Sequence, residues 1–525
     1  MLITSRRRLP SLAGACAVDL DVLDASTARE LFETVIGATR VAAEPEATAH
    51  VLACCAGLPL ALRIAAARLV GRRAWDVSTL ADRLLDERRR LDELSVDDIA
   101  IRTSFRASYD NLPRPSESGI APARVFRLLG LSPMSEISLS AAVSLVGAPT
   151  DRVEESLELL VDACLLTSPV PGRYRFHDLL RVFATERASI QEDSAAQRQA
   201  TRRLASWYLA NAVAADKVLR PHTRRPETAN LELQPAQAFE GYAQALEWFE
   251  AERSALPVVT AMAASREFHD IAAVFPTIIQ GYLNLGAHWQ TAIFCGETGL
   301  ASARARGDRV LEAHLLNGLG IATGRSRQLE AAAAHLTSSV TIRRELGDHV
   351  GELSGLINLG NVLKDQRRLG ESKEHTLRAL ALARALGRRS AEAHALNNLG
   401  ILAADIGAVE EAIDYQEQCL AISRELGDAA DEAAALLNLG EIHERDGRFD
   451  EALSYLQSAL PLAHASGDRP TEATVLTDLG QIMLKIDRTD QARGYLTDAE
   501  MLWRSWDPEE AVRIRTLLSS LAPGH

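Results

Sequence analysis

Asn358-Leu359-Gly360 returns as Asn398-Leu399-Gly400 and again as Asn438-Leu439-Gly440, forty residues apart each time. The same interval holds outward from these triplets. Glycine recurs at Gly320, Gly360, Gly400, Gly440 and Gly480, and glutamate at Glu312, Glu352, Glu392, Glu432 and Glu472. A small residue recurs at Ala292, Ala332, Ser372, Ala412, Ala452 and Ala492. A strict period over nearly half the chain predicts a helical solenoid, because each repeat must stack on its neighbour to bury its apolar face. Stacked repeats present a long concave surface, so the first functional expectation is binding of another protein.

Six repeats are placed at 268–307, 308–347, 348–387, 388–427, 428–467 and 468–507, each as two antiparallel helices. Their junctions read Gly307-Asp308, Gly347-Asp348, Gly427-Asp428 and Gly467-Asp468, with Arg388 in place of aspartate after Gly387. Glycine supplies the left-handed residue that ends one helix, and aspartate caps the next. Arg343, Arg344, Arg384 and Arg424 fall near helix C-termini, where the dipole favours cations. The recurrent mid-helix glycines each cost about 1 kcal/mol against alanine. Close helix crossing against the small-residue positions is the expected reason. Gln280 and Trp506-Asp507-Pro508 break the pattern at its ends, as capping repeats do.

At 525 residues the chain has room for several domains. A net charge of −14 argues against a chain built to coat nucleic acid. Six cysteines without a Cys-x-x-Cys pair fit a reduced, cytoplasmic protein. Val51 to Val70 is the most apolar stretch, but it contains Arg63, Arg68 and the breaker Gly57-Leu58-Pro59, so no membrane span is expected. The N-terminus places apolar residues before its arginines, the wrong order for a signal peptide. No Ser-His-Asp, metal-ligand or paired-carboxylate constellation stands out, so no catalytic residues and no metal site are assigned.

Ahead of the repeats, Leu2-Ile3-Thr4 reads as a strand remnant within 1–22. Helices are expected over 23–95, one of them capped by Ser26, and others opening near Pro45 and carrying Leu60, Leu62, Ile64 and Leu69. In 96–190, helices lead to Leu165-Leu166-Thr167-Ser168 and Tyr174-Arg175-Phe176 around a Pro/Gly turn, a hairpin that suggests a winged helix. Residues 191–265 are helical with a break from Pro221 to Pro226, the repeats occupy 266–510, and 511–525 form a tail. The fold class expected is all-α: a solenoid preceded by a helical segment and a winged helix with a small β-hairpin.

The repeat region resembles the tetratricopeptide repeat in its forty-residue variant, on the three Asn-Leu-Gly triplets and on Glu411-Ala412 and Glu451-Ala452. The resemblance implies a groove in which Asn358, Asn398 and Asn438 grip a peptide backbone through paired donor and acceptor. The other reading of these asparagines is that they tie neighbouring helices together. The partner implied is a protein or peptide in the repeat groove, and self-association is left open.

The N-terminal half resembles NB-ARC (STAND-class) nucleotide switches. Leu2-Ile3-Thr4-Ser5-Arg6 is similar to their sensor strand, Cys55-Ala56-Gly57-Leu58-Pro59-Leu60-Ala61-Leu62 to their Gly-Leu-Pro-Leu motif, and Ser108-Tyr109-Asp110-Asn111-Leu112 with Phe126-Arg127-Leu128-Leu129-Gly130 to the entry of their winged helix. Tyr174-Arg175-Phe176-His177-Asp178-Leu179-Leu180-Arg181 is similar to their Met-His-Asp motif. Together with the repeats, these motifs most resemble the C-terminal two-thirds of SARP/AfsR-type transcriptional regulators. The resemblance implies that Arg6 senses the terminal phosphate of ATP, that Pro59 packs against adenine, and that His177 contacts the β-phosphate of ADP. The competing readings are a solvated arginine, a helix-entry proline and a structural histidine.

Phe176 stands in the methionine place of the last motif, no Asp-rich strand precedes the sensor strand, and the largest departure from that family is an absence. The chain contains no Gly-x-x-x-x-Gly-Lys-Ser/Thr, the loop that cradles phosphates with backbone N–H groups and a lysine. ADP or ATP is therefore expected only in the context of a complete nucleotide-binding domain, with weak ADP binding and no ATP hydrolysis by this chain. Glu154, Glu155, Glu158 and Asp162 on the helix near Arg152 would repel phosphate, so direct DNA binding is not expected. The reading is the signal-sensing and regulatory portion of a STAND-type transcriptional regulator. The alternative is a free-standing repeat adaptor with a vestigial NB-ARC remnant. A start inside a domain suggests a misplaced start, a disrupted gene or a split partner.

Overall fold

A computed structural model of the chain describes residues 22–72, 74–96, 99–113, 119–223, 225–228 and 230–521. The expected sensor strand, with Arg6, lies outside them. The chain divides into two compact bodies, Met1–Tyr282 and Leu283–His525. Both are helical, as the repeat period and the apolar patterning require.

In the first body, helices Ala25–Ile36, Ala38–Ala43, Pro45–Cys55, Pro59–Gly71, Val77–Leu85 and Glu87–Glu93 come first. The first helix is capped two residues earlier than expected: the Asp24 carboxylate, not Ser26, accepts from the Ser26 and Thr27 amides. A carboxylate satisfies two orphan N–H groups where a hydroxyl satisfies one. The Pro45 and Pro59 helices begin as the sequence indicates, each with proline in its first turn.

The winged helix follows. Helices Pro122–Leu129, Leu139–Val146 and Thr150–Asp162 precede the hairpin Thr167–Val170 and Arg173–Arg175. A third strand, Glu136–Ser138, pairs antiparallel with Arg173–Arg175, which becomes the middle strand. Gly172 turns the hairpin at φ 76°. The core is aromatic: Phe126 lies 5.3 Å from Phe176 and 5.6 Å from Tyr109, ring to ring. Gly130 lets helix Asp178–Gln191 approach, since a Cβ there would lie 2.6 Å from the Ala184 carbonyl carbon.

Helices Ser194–Leu219, Tyr242–Glu252 and Ala255–Ser265 complete this body, with neither helix nor strand assigned between 220 and 241 among the described residues. Two partly buried ties fix the winged helix to them. Arg203 donates to the carbonyls of Ser144, Leu145 and Val146, closing the C-terminus of Leu139–Val146. Glu252 accepts from Tyr208 Oη at 2.8 Å and Arg173 at 2.6 Å.

In the second body first and second helices alternate along the chain. First helices are Arg309–Arg325, His349–Asp365, Arg389–Asp405, Ala429–Arg445 and Arg469–Lys485. Second helices are Trp289–Arg306, Leu329–Glu345, Leu369–Ala385, Val409–Leu426, Phe449–Ser466 and Thr489–Trp506. Helix His269–Leu285 runs across the division between the bodies. The junction glycines Gly307, Gly347, Gly387, Gly427 and Gly467 are all left-handed. Asp308, Asp348, Asp428 and Asp468 accept from amides of the helix they open, and Arg388 makes no such bond. The segment from Pro508 continues as a helix to Ser520, capped by Asp507 and burying Ala511 and Ile514 against the last repeat.

The mid-helix glycines do admit close crossing, but the nearest neighbour is one turn beyond the small residue. A Cβ at Gly320 would lie 2.4 Å from Leu336, at Gly360 2.5 Å from Thr376, and at Gly480 2.6 Å from Leu496. The small residue stands behind, offering its carbonyl, as Ala452 does at 3.4 Å from Gly440.

The periodic glutamates have a different task. Each accepts from a cation in the last turn of the preceding helix: Arg304 to Glu312 at 2.9 Å, and Arg344 to Glu352, Arg384 to Glu392 and Arg424 to Glu432 at 2.8 Å. His464 faces Glu472 at 2.7 Å. Burial alone would raise the Glu312 and Glu392 carboxyls, but their paired arginines outweigh it and hold both below the ordinary glutamate range. A lowered folded value contributes stability above the unfolded pKa and loses it as the pH falls through the folded one. Tm should therefore drop as the pH is taken below about 4, and Glu392→Gln should flatten that drop. A Tm that is flat over this range in the parent chain would show that these pairs contribute nothing to stability.

Candidate functional site

Successive first helices touch one another, whereas successive second helices do not approach as closely. The first helices therefore form the inner side of the stack. Between the buried positions of each runs a partly exposed stripe. It carries Asn317 and Ile321, then Ile357, Asn358 and Asn361, then Asn397, Asn398 and Ile401, then Asn438 and Glu441, then Asp478 and Gln481. Aliphatic and amide side chains alternate along this face, with carboxylates entering at the C-terminal end.

The three predicted asparagines lie on it, but not equivalently. Asn358 Nδ2 donates to Asn317 Oδ1 at 3.2 Å, and Asn438 Nδ2 donates to Asn397 Oδ1 at 2.6 Å. Each bond ties a first helix to the one before it and leaves the remaining amide atoms of the pair available on the face. For Asn398 and Asp478 the corresponding earlier positions are Ile357 and Leu437, which offer no hydrogen-bond partner. The partner asparagines Asn317 and Asn397 escaped the sequence reading because their own forty-residue register carries Ile357 and Leu437 in the alternate repeats. A search for polar pairs forty-one residues apart would have found them.

Carboxylates gather where the amides end. Arg445 lies 3.8 Å from Asp405 and 3.7 Å from Glu441, and Lys485 lies 2.8 Å from Glu444. Asp478 sits among them, and its buried Oδ2 has no hydrogen-bond partner. Burial first, then the nearby Glu441 and Glu444, push the Asp478 carboxyl up to about 8 against the pull of Lys485 and Arg445. Burial also raises Glu441.

In the first body the structure brings His177 to the Gly-Leu-Pro segment. Ala56 is left-handed at φ 50° and ends helix Pro45–Cys55. Its carbonyl lies 2.9 Å from His177 Nε2, the residue that opens helix Asp178–Gln191. A carbonyl only accepts, so Nε2 carries the proton. Nδ1 is buried without a partner and is then an acceptor. Gly57 accepts at its carbonyl from the Leu23 amide at 2.8 Å, and its φ of 69° and lack of Cβ allow that contact. Pro59 is exposed at the head of its helix. In this arrangement His177 could donate to an anion only after taking a second proton or leaving Ala56.

Tetratricopeptide repeats match residues 352–425 and 431–505. The chain is 44% identical over 256 residues to the regulatory protein AfsR of Streptomyces griseus, and 43% identical over 259 residues to AfsR of Streptomyces coelicolor. It is a tetratricopeptide-repeat relative of AfsR. Each alignment takes in 49% of this chain and 26% of the relative, so the match spans about a quarter of the AfsR length. Among solved structures, a signal transduction ATPase with numerous domains and a tetratricopeptide repeat sensor, from Pyrococcus horikoshii, aligns over 88% of this chain and 68% of its own at 15% identity and a TM-score of 0.43. The crystal structure of BtubC from P. vanneervenii aligns over 42% of this chain and 92% of its own at 21% identity, with a TM-score of 0.37. No helix among the described residues is long and apolar enough to cross a membrane.

Proposed function

We propose that this AfsR relative is the signal-sensing and regulatory part of a STAND-type transcriptional regulator, and that the face of its first helices takes an extended peptide or protein segment. The observation that carries this is the continuous stripe of amides and aliphatic residues from Asn317 to Asn438, left uncovered by the repeats' own second helices. An extended chain carries unpaired N–H and C=O groups that an amide side chain can match with its own acceptor and donor. The AfsR likeness supports the regulatory role. His177 against Ala56 would hold the winged helix to the Gly-Leu-Pro segment in one of two states. ADP or ATP would join them only with a complete nucleotide-binding domain, with Arg6, Pro59 and His177 as its contacts. The chain alone should bind ADP weakly and leave ATP intact, and submicromolar ADP affinity would overturn that.

Asn398 is the cleanest probe, since it takes no part in the asparagine pairs between helices. Random dodecapeptides displayed on phage would be selected on the full chain and their affinities measured. Asn398→Ala should weaken selected peptides about fivefold to tenfold, a loss on the order of 1 kcal/mol for one hydrogen-bonding group, at unchanged Tm. Replacing Asn358, Asn398 and Asn438 together by alanine should abolish selection. Unchanged affinity in a folded triple variant would sink the groove reading.

A further inference from the structure

The face proposed to take a peptide is not uniform from end to end. Its middle is neutral, from Asn358 to Ile401, while its C-terminal end carries Asp405, Glu441, Glu444 and Asp478 against two cations, Arg445 and Lys485. Asp478 replaces the asparagine of the three preceding repeats at the same place on its helix. The replacement gives the fold nothing: Leu437 stands where a partner would be, and Oδ2 is left buried and unbonded. A neutral asparagine would serve packing as well there. A carboxylate in a desolvated place is costly unless a cation meets it. Lys485 is bonded to Glu444, and Arg445 stands between Asp405 and Glu441. Neither is paired with Asp478. Among the described residues no group of three His, Cys, Asp or Glu side chains is placed to hold a metal ion.

We propose that the repeat groove reads its peptide with a fixed polarity, seating a lysine or arginine side chain of the ligand on Asp478, with Glu441 and Glu444 beside it, while the neutral amides of the preceding repeats hold the rest of the backbone. This rests on the peptide reading of the groove. The chemistry is charge complementarity on one side and hydrogen bonding on the other. An ammonium or guanidinium supplies the donors that Oδ2 lacks. Its arrival favours the ionised carboxylate, so binding near neutral pH releases a proton from Asp478. The charged groups facing Asp478 are Glu441, Glu444 and Arg445 from helix Ala429–Arg445, Lys485 from its own helix, and Asp405 near Arg445 from helix Arg389–Asp405.

The test uses the phage-displayed dodecapeptides selected on the full chain. Selected sequences should carry lysine or arginine concentrated toward one end. Asp478→Asn restores the residue of the neighbouring repeats and so keeps the fold. It should weaken a cation-bearing peptide about tenfold, the range for one lost charge-assisted contact, and leave the same peptide with that cation replaced by methionine unchanged. Calorimetry in buffers of different ionisation enthalpy should show proton release for the parent chain and none for Asp478→Asn. Peptides that bind without a preference for cations would overturn this inference while leaving the groove reading intact. So would a preference that survives both Asp478→Asn and Glu441→Gln. Failure to select any peptide would overturn the groove reading itself, and this inference with it.

Discussion

Replacing Gly440 by valine should lower the stability of the repeat body by about 2–3 kcal/mol, near the upper end for overpacking a tight helix contact. A Cβ at this position would lie 2.7 Å from Leu456 Cγ and 3.4 Å from the Ala452 carbonyl oxygen. The leucine could rotate away, but it is fully buried within the main core of the stack, with Leu436, Leu439 and Leu453 in the same cluster. The helices would have to separate, and a crossing that shifts in one repeat is passed to the next. Urea unfolding followed by circular dichroism should show a lower midpoint with little change in slope. Leu456→Ala in the same chain should recover part of the loss, because it clears the space that valine needs. A midpoint unchanged in Gly440→Val would mean that the glycine is not there for close crossing.

The opposite sign is expected at Arg343. Its equivalents in the other repeats are Ala303, Ala383, Ser423 and Ala463, yet an arginine is buried here at 4% exposure. Gly351, where other repeats have Leu311, Ala391, Asp431 and Thr471, makes room for it. The guanidinium donates to the Gly351 carbonyl at 2.5 Å, and its Nε has no partner. Burial depresses its pKa, and Asp348 offsets this only in part. A desolvated cation with so few bonds costs more than an apolar side chain would. The double change Arg343→Ala and Gly351→Ala gives this junction the alanines of Ala383 and Ala391, while Asp348, whose carboxylate lies 2.1 Å from an added Cβ, must shift to cap as Asp308 and Asp428 do beside Leu311 and Asp431. It should raise stability by about 1–2 kcal/mol, from removal of the buried charge and from a better helix residue at 351. The urea midpoint is again the measurement. A fall would show that the arginine stem packs well enough to outweigh its stranded head group.

Asp478 provides a second electrostatic test that needs no ligand. A folded value of about 8 against an ordinary 3.8 means that the folded state holds a proton the unfolded state gives up. Stability from this group therefore falls as pH rises between those two values. Asp478→Asn should match the parent chain below pH 4 and exceed it in Tm at pH 8. Equal Tm at pH 8 would show that water or a rearranged side chain already relieves the carboxylate.

Much of the solenoid was legible because its signals are local and repeated. A glycine followed by aspartate ends one helix and opens the next wherever it occurs, and the period multiplies a weak cue into a firm one. The turns within each repeat were not legible as such. Ala287, Arg327, Arg367, Gly407, Gly447 and Asp487 also recur every forty residues, and all six are left-handed. Only two are glycine, so the backbone requirement is hidden behind side chains that merely tolerate it. The candidate site was half legible. The asparagine positions were visible, but whether each tied helices or faced outward depended on a residue forty-one positions earlier. That is a question of how helices stack, which no single repeat encodes. The unpartnered carboxyl of Asp478 was invisible for the same reason, since the sequence shows the aspartate and not the leucine opposite it. In the first body, His177 could be placed by motif, but its bond to Ala56 joins residues that tertiary packing alone brings together.

The asparagine bonds join the second repeat to the third and the fourth to the fifth, skipping the steps between. At the Ile357–Asn398 and Leu437–Asp478 steps no such bond is made, although Lys485 and Glu444 still bridge the second of them. Asn398 and Asp478 are thus the ladder side chains that stacking leaves without an amide across from them. A molecule seated along the face would supply there the cross-helix bonds that the alternate repeats make for themselves.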